Sequence, residues 1–178
     1  KDKRLDQVLL HGPDNITVLP AMRGIQALNK LNPLEEDWLI KCFTELTHCV
    51  DIVLIDTAMV GTTYVLPLSL ASEQVVIVIS GSAASLTGAY ALIKIMSQEY
   101  AKQHFLILVN KVDSEVESLA IYQNLYKVAR QYLSVTLEYA GFIQNDEKLR
   151  HASQLCQPIL EAHPASPSRS SPATPTPP

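Results

Sequence analysis

The chain has 178 residues, 47% of them hydrophobic and 18% charged, and a formal net charge of −4. That is enough apolar material for one domain with a two-sided core, and the acidic balance argues against nucleic acid as a direct partner. Cys42, Cys49 and Cys156 are too few and too scattered for a disulfide framework, no apolar run is long enough to predict a membrane-spanning helix, and no secretory leader is visible.

Five short runs rich in Val, Ile and Leu predict strands: Ile16–Leu19, Asp51–Asp56, Gln74–Ser80, Phe105–Asn110 and Tyr139–Ile143. Several are continuously apolar, the pattern of strands buried on both faces of a parallel sheet. Asn32, Pro33 and Glu35 read as N-cap, first helical residue and capping-box acid of a helix with Leu39, Phe43 and Leu46 on one face. Cys42 and Cys49 on that helix read as small buried hydrophobes. A second helix starts near Ser85 and turns Ala89, Leu92, Ile93, Met96 and Tyr100 inward. A third follows the capping-box pair Ser114 and Glu117 and carries Leu125, Val128 and Tyr132. Strands and helices alternate in the βαβ rhythm, which predicts an α/β fold with a mostly parallel sheet and helices on both faces. Residues 1–163 are assigned to that domain, and the Pro- and Ser-rich stretch 164–178 is expected to be disordered.

In such a sheet, ligands sit beyond the carboxyl ends of the strands. Those ends are Asp56-Thr57, Ser80-Gly81-Ser82, Asn110-Lys111-Val112-Asp113 and Gln144-Asn145-Asp146. Asp56 closes the apolar run Ile52–Ile55, a position suited to an aspartate that holds magnesium-bound water beside phosphate; the plainer alternative is that it caps the following turn. Asn110-Lys111-Val112-Asp113 matches the N-K-x-D guanine-reading motif of GTPases, although the accompanying D-x-x-G pattern meets Met59 where it needs glycine. No glycine is followed by lysine, so the G-x-x-x-x-G-K-[ST] phosphate loop is absent and the chain alone is expected not to hydrolyse a nucleotide. The five histidines show no metal-ligand spacing.

The succession Val53-Leu-Ile-Asp56-Thr57-Ala58, Thr87-Gly-Ala-Tyr-Ala-Leu-Ile-Lys94, Leu108-Val-Asn110, Leu137-Glu-Tyr-Ala-Gly-Phe-Ile143 and Asp146-Glu-Lys-Leu-Arg150 resembles the MinD/ParA ATPases, and within them the flagellar-number regulators of the FleN/FlhG type. His11–Ala21 looks like that branch's third strand and its approach, so the resemblance covers about Leu9 to Pro164. It implies a P-loop NTPase-like, three-layer fold lacking its N-terminal strands. It also implies ATP or ADP with Mg²⁺ as cofactors and a cytoplasmic regulator of flagellar number or placement that docks reversibly at the membrane. The implied partners are a second copy, a flagellar signal-recognition-type GTPase and a transcriptional activator. Carried over residue by residue, Asp56 is the catalytic and magnesium-side aspartate. Asn110 faces the adenine, and Ile143, Gln144, Asn145 and Asp146 form the turn closing over the base.

The chain departs from the family pattern at several points. The family glycine four residues after the strand aspartate is Val60, with Gly61 one place late, and a glycine there would let a backbone N–H approach the γ-phosphate. The acidic residues around the next strand are replaced by Ser82, Ala83, Ala84 and Gly88, and no amphipathic membrane-targeting helix is visible near the end of the chain. These departures support one alternative, a non-hydrolysing relative serving as a regulatory or interaction subunit; the other alternative, a GTPase fragment, is read through the motif Asn110–Asp113. The chain opens at Lys1 without a methionine, and residues before it, or a partner, are expected to supply the phosphate-loop strand.

Overall fold

The computed structural model describes residues 9–12, 15–20, 32, 34–35, 37–38, 41, 44, 50–57 and 72–163. The chain divides into two compact units, Lys1–Ser72 and Glu73–Pro178.

In the first unit, β1 (Leu10–His11) pairs antiparallel with β2 (Thr17–Val18). The hairpin is closed by a Gly12 N–H to Ile16 carbonyl bond of 2.7 Å, and Asn15 takes the left-handed backbone (φ 63) that asparagine tolerates. The expected strand Ile16–Leu19 is therefore a two-residue hairpin arm. Helical residues 34–35, 37–38, 41 and 44 follow the expected cap. The Glu35 N–H donates to Asn32 Oδ1 and the Asn32 N–H to Glu35 Oε2, each at 3.0 Å, which is the reciprocal capping box. Leu39, Phe43, Leu46, Cys42 and Cys49 lie outside the described residues. The expected strand Asp51–Asp56 is a correction: Ile52–Asp56 has no regular structure, and Ile52 and Leu54 are 82% and 89% exposed. An apolar run becomes a strand only by exchanging hydrogen bonds with a neighbour, and no described residue pairs with this one.

The second unit carries the core. β3 (Val76–Ile79), α1 (Ala83–Tyr100), β4 (His104–Val112), α2 (Glu115–Tyr132) and β5 (Thr136–Gln144) form two successive βαβ units. The sheet is parallel in the order β3-β4-β5. Two short helices, α3 (Glu147–Gln154) and α4 (Ile159–Ala162), end the described chain. The expected α/β architecture with helices flanking a parallel sheet is thus present. Ile77, Ile79, Phe105, Ile107, Val109 and Leu137 meet Ala89, Ile93 and Met96 of α1 and Ile121, Leu125 and Ala129 of α2 in a dry core. Along β3 the burial alternates: Ile77 and Ile79 are 4% and 1% exposed, whereas Val76 and Val78 are 46% and 52% exposed. The continuous apolar run thus contributes one buried face.

Two details of the helices differ from expectation. The inward stripe of α1 ends at Met96, and Tyr100 is 42% exposed. The reason is local, because the helix closes there: Ala101 adopts the left-handed backbone (φ 55) and its neighbour Lys102 donates to the Met96 carbonyl. On α2 the buried residues include Ala129 and Tyr122, while Val128 and Tyr132 face outward. Residues 164–178 lie outside the described residues.

Candidate functional site

Because β3, β4 and β5 run in parallel, their carboxyl ends bring three turns to one rim of the second unit: Ser80-Gly81-Ser82, Asn110-Lys111-Val112-Asp113 and Gln144-Asn145-Asp146.

At the first turn, Ser82 caps α1 by accepting from the Ser85 N–H at 3.2 Å, and Ser85 Oγ reaches back to accept from the Ser80 N–H at 2.9 Å. The return bond thus goes to Ser80, two residues before the cap, rather than to the cap residue as in a capping box. The hydroxyls of Ser80 and Ser82 lie 3.3 Å apart. Gly81 lies at a close approach, since a Cβ there would sit 3.2 Å from Ile121 Cδ1 of α2, which would have to give by a few tenths of an ångström.

The second turn is a β-bulge. Asn110 pairs with Ile143 and Val112 with Gln144, so Lys111 is an extra residue without a partner on β5. Lys111 takes a φ of 61, a backbone that a lysine adopts at a cost of about 1–2 kcal/mol. Asn110 is half-buried at the strand end, and no described residue hydrogen-bonds its carboxamide. Val112 is buried and anchors the turn. Asp113 is exposed, and its backbone is held from both sides: its N–H donates to Glu117 Oε2 at 2.8 Å, and its carbonyl accepts from Gln144 Nε2 at 3.3 Å. Ser114 caps α2 by accepting from the Glu117 N–H at 3.2 Å. The expected Ser114–Glu117 capping box is therefore shifted, because the glutamate returns to Asp113 rather than to the cap residue itself.

The third turn is tied to the second by the Asn145 N–H, which donates to the Val112 carbonyl at 2.8 Å. Asp146 caps α3, accepting from the Lys148 N–H at 2.8 Å. Ile143 is half-buried beside Asn110 in the ladder. Of the expected site residues, Asn110, Ile143, Gln144, Asn145 and Asp146 thus lie together on one rim. Asp56 lies in the first unit, exposed and in irregular backbone.

Beneath the rim, a small polar cluster joins α2 to β5, and sequence reasoning had no signal for it. Ser118, fully buried, donates to the Glu115 carbonyl at 2.7 Å and meets the Tyr139 hydroxyl at 2.6 Å. Tyr122 donates to the Leu137 carbonyl at 2.8 Å, and its ring packs against Tyr126 and Tyr139 with centroids 5.8 and 5.3 Å away. Burial, with the neighbouring Tyr126 hydroxyl and Glu138 carboxylate adding to it, pushes the Tyr122 phenol above its ordinary value of 10.0. At the opposite end of the strands, His104 Nε2 lies 3.2 Å from Glu138 Oε2 in an exposed pair. No cluster of three or more metal-ligating side chains occurs among the described residues, and no described helix is long and apolar enough to cross a membrane.

No family model matches the chain. It is 33% identical over 162 residues to the antiactivator FleN of Pseudomonas aeruginosa, an alignment covering 91% of this chain and 58% of that protein. It is 31% identical over 144 residues to the flagellum site-determining protein YlxH of Helicobacter pylori, covering 80% of this chain and 45% of that one. Both similarities agree with the expected resemblance to the FleN-like branch of the MinD/ParA family. The chain spans about half the length of the curated relatives it matches. The described residues carry the α/β arrangement expected from that resemblance, a three-stranded parallel sheet flanked by helices.

Proposed function

We propose that this chain is the C-terminal portion of a MinD/ParA-type ATPase that regulates flagellar number or placement, with the purine of its nucleotide seated at the Asn110 and Ile143–Asp146 turns. The names of the two relatives, an antiactivator and a flagellum site-determining protein, support the regulatory half of this reading. The observation that carries the nucleotide half is the clasped pair of turns at the carboxyl ends of β4 and β5, which presents a carboxamide that no described residue engages. A carboxamide offers a donor and an acceptor side by side, which suits the edge of a purine, and that rim is where parallel α/β sheets take their ligands.

The residues fit the base end of ATP. They do not include a phosphate cradle, because no glycine of the chain is followed by lysine. Asp56 would hold the Mg²⁺ ion, which neutralises phosphate charge when bound. A homodimer, a flagellar signal-recognition-type GTPase and a transcriptional activator are the partners this reading proposes, and the cytoplasm, with docking at the membrane through partners, is its proposed location. The N-K-x-D likeness is assigned to adenine, with Asn110 rather than Asp113 as the reading residue.

Calorimetric titration of the protein with ATP and with GTP tests the reading. ATP is expected to bind in preference to GTP, and Asn110→Ala to weaken ATP by about tenfold, the loss expected for one or two hydrogen bonds to a base. Where the phosphate loop is supplied from outside this chain, Asp56→Asn is expected to abolish hydrolysis with little change in stability. Preference for GTP, or an Asn110→Ala variant that binds ATP unchanged, contradicts the assignment. ATP binding without hydrolysis even when the phosphate loop is supplied would instead favour the non-hydrolysing regulatory subunit to which Val60 points.

A further inference from the structure

The hydrogen bonds around Asp113 and the buried Ser118 form a closed circuit. Asp113 donates its N–H to Glu117 in the first turn of α2. The adjacent residue, Ser118, is held to Tyr139 on β5 at 2.6 Å. β5 runs on to Gln144, whose side-chain amide returns to the Asp113 carbonyl at 3.3 Å. The Ser118 hydroxyl has one proton, and that proton is given to the Glu115 carbonyl. Tyr139 is therefore the donor and Ser118 the acceptor, so the direction of every bond in the circuit is fixed.

We propose that Ser118 and Tyr139 are positioning residues for the base-binding turns. They bolt the first turn of α2 to β5 and so hold the Asn110–Asp113 bulge and the Gln144–Asn145 turn in one arrangement. The proposal rests on the nucleotide reading above for its functional meaning, while the mechanical claim stands on the circuit alone.

Two observations carry it. Lys111 is kept in a left-handed backbone with φ 61 at the centre of the bulge. A strained backbone of this kind persists only where its surroundings over-determine it, and here the restraints arrive from both sides: Glu117 and Gln144 on Asp113, and the Asn145 N–H on the Val112 carbonyl. The second observation is that Ser118 is buried within an otherwise apolar stripe of α2, alongside Ile121, Leu125 and Ala129. An alanine there would pack as well and need no partner. A serine satisfied by a tyrosine of the next strand instead fixes which residue of α2 stands opposite which residue of β5, which apolar contacts alone specify less sharply.

Amide hydrogen exchange, residue by residue, tests the circuit without any nucleotide. In Tyr139→Phe, exchange at the Asp113 and Asn145 amides is expected to quicken by about tenfold, the value of one net hydrogen bond. The Leu106 amide, which donates to the Val75 carbonyl on the far side of the sheet, is expected to keep its rate. Ser118→Ala is expected to do the same as Tyr139→Phe. Tyr122→Phe removes a bond between the same two elements outside the circuit, and is expected to leave Asp113 and Asn145 no faster than Leu106. Unchanged rates at Asp113 and Asn145 in Tyr139→Phe, or an equal acceleration at Leu106, would overturn the proposal. If the nucleotide reading holds, Tyr139→Phe also weakens ATP several-fold more than Tyr122→Phe does. Failure of the unaltered protein to bind ATP would sink that reading, while the exchange rates would still decide the circuit.

Discussion

Ile52–Ile55 and Val76–Ile79 are two apolar tetrapeptides of almost the same composition, Ile-Val-Leu-Ile and Val-Ile-Val-Ile. The second is bonded along its length to β4 and buries Ile77 and Ile79 against α1, whereas the first carries no ladder and leaves Ile52 and Leu54 open to solvent. The same contrast holds between the described residues of the units that contain them: none in the first is buried, and every buried one lies in the second. β-propensity expresses fitness for a half-buried pleated surface, and it is realised only where a neighbouring strand and a covering helix exist. Two equal runs therefore end in unequal states because one has partners within its own unit.

Core truncation should break this comparison most visibly. Phe105→Ala, at a fully buried position in β4, is expected to cost about 3–5 kcal/mol in urea denaturation, whereas Leu54→Ala should stay within about 0.5 kcal/mol. A large loss from Leu54→Ala would show that its run is paired after all. Next in size are the caps, which sharpen the account of the second unit. Ser82→Ala and Ser114→Ala are each expected to lower stability by about 1 kcal/mol. Because Ser82 and Ser114 cap different helices, their losses should add.

The alkaline limb comes third. The Tyr122 phenol titrates above 10.0 in the folded chain, so above that pH the folded state retains a proton that the unfolded state gives up. The associated stability is fully present below pH 10.0 and is lost as pH rises through the folded value. Tyr122→Phe should flatten that limb in denaturation curves measured across the range, and an unchanged slope would show that the phenol is not held neutral by the fold. The smallest effect belongs to the exposed His104–Glu138 pair, where Glu138→Gln is expected to cost less than about 1 kcal/mol in denaturation.

Much of the second unit was legible from its residues. The three apolar runs from Val76 onward each became a strand, and the α1 stripe Ala89, Ile93 and Met96 followed the helical period. Asn32 with Glu35 announced a capping box that forms as read, because capping depends on residues three apart. What stayed hidden depends on partners distant in sequence. Nothing local distinguishes Ile52–Ile55 from a buried strand, and nothing local says that Ser118 will meet Tyr139 across 21 positions. Lys111 gave no sign of its bulge, since glycine and asparagine, the residues that announce a left-handed backbone, are absent there. For the site, three of the four expected carboxyl-end turns stand at strand ends, Asp56-Thr57 does not, and the bonds that clasp the turns together gave no local sign.

The central claim is that the clasped turns of β4 and β5 receive the base of an adenine nucleotide. Mapping amide chemical shifts during an ATP titration tests it most directly. The account predicts that the amides of Asn110, Lys111, Asp113, Asn145 and Asp146 move together and saturate with one binding constant, while Gln103 and Ser134 at the opposite end of the strands stay still. Shifts clustered at that opposite end, or a saturating titration that leaves Asn110 and Asn145 unmoved, would contradict it.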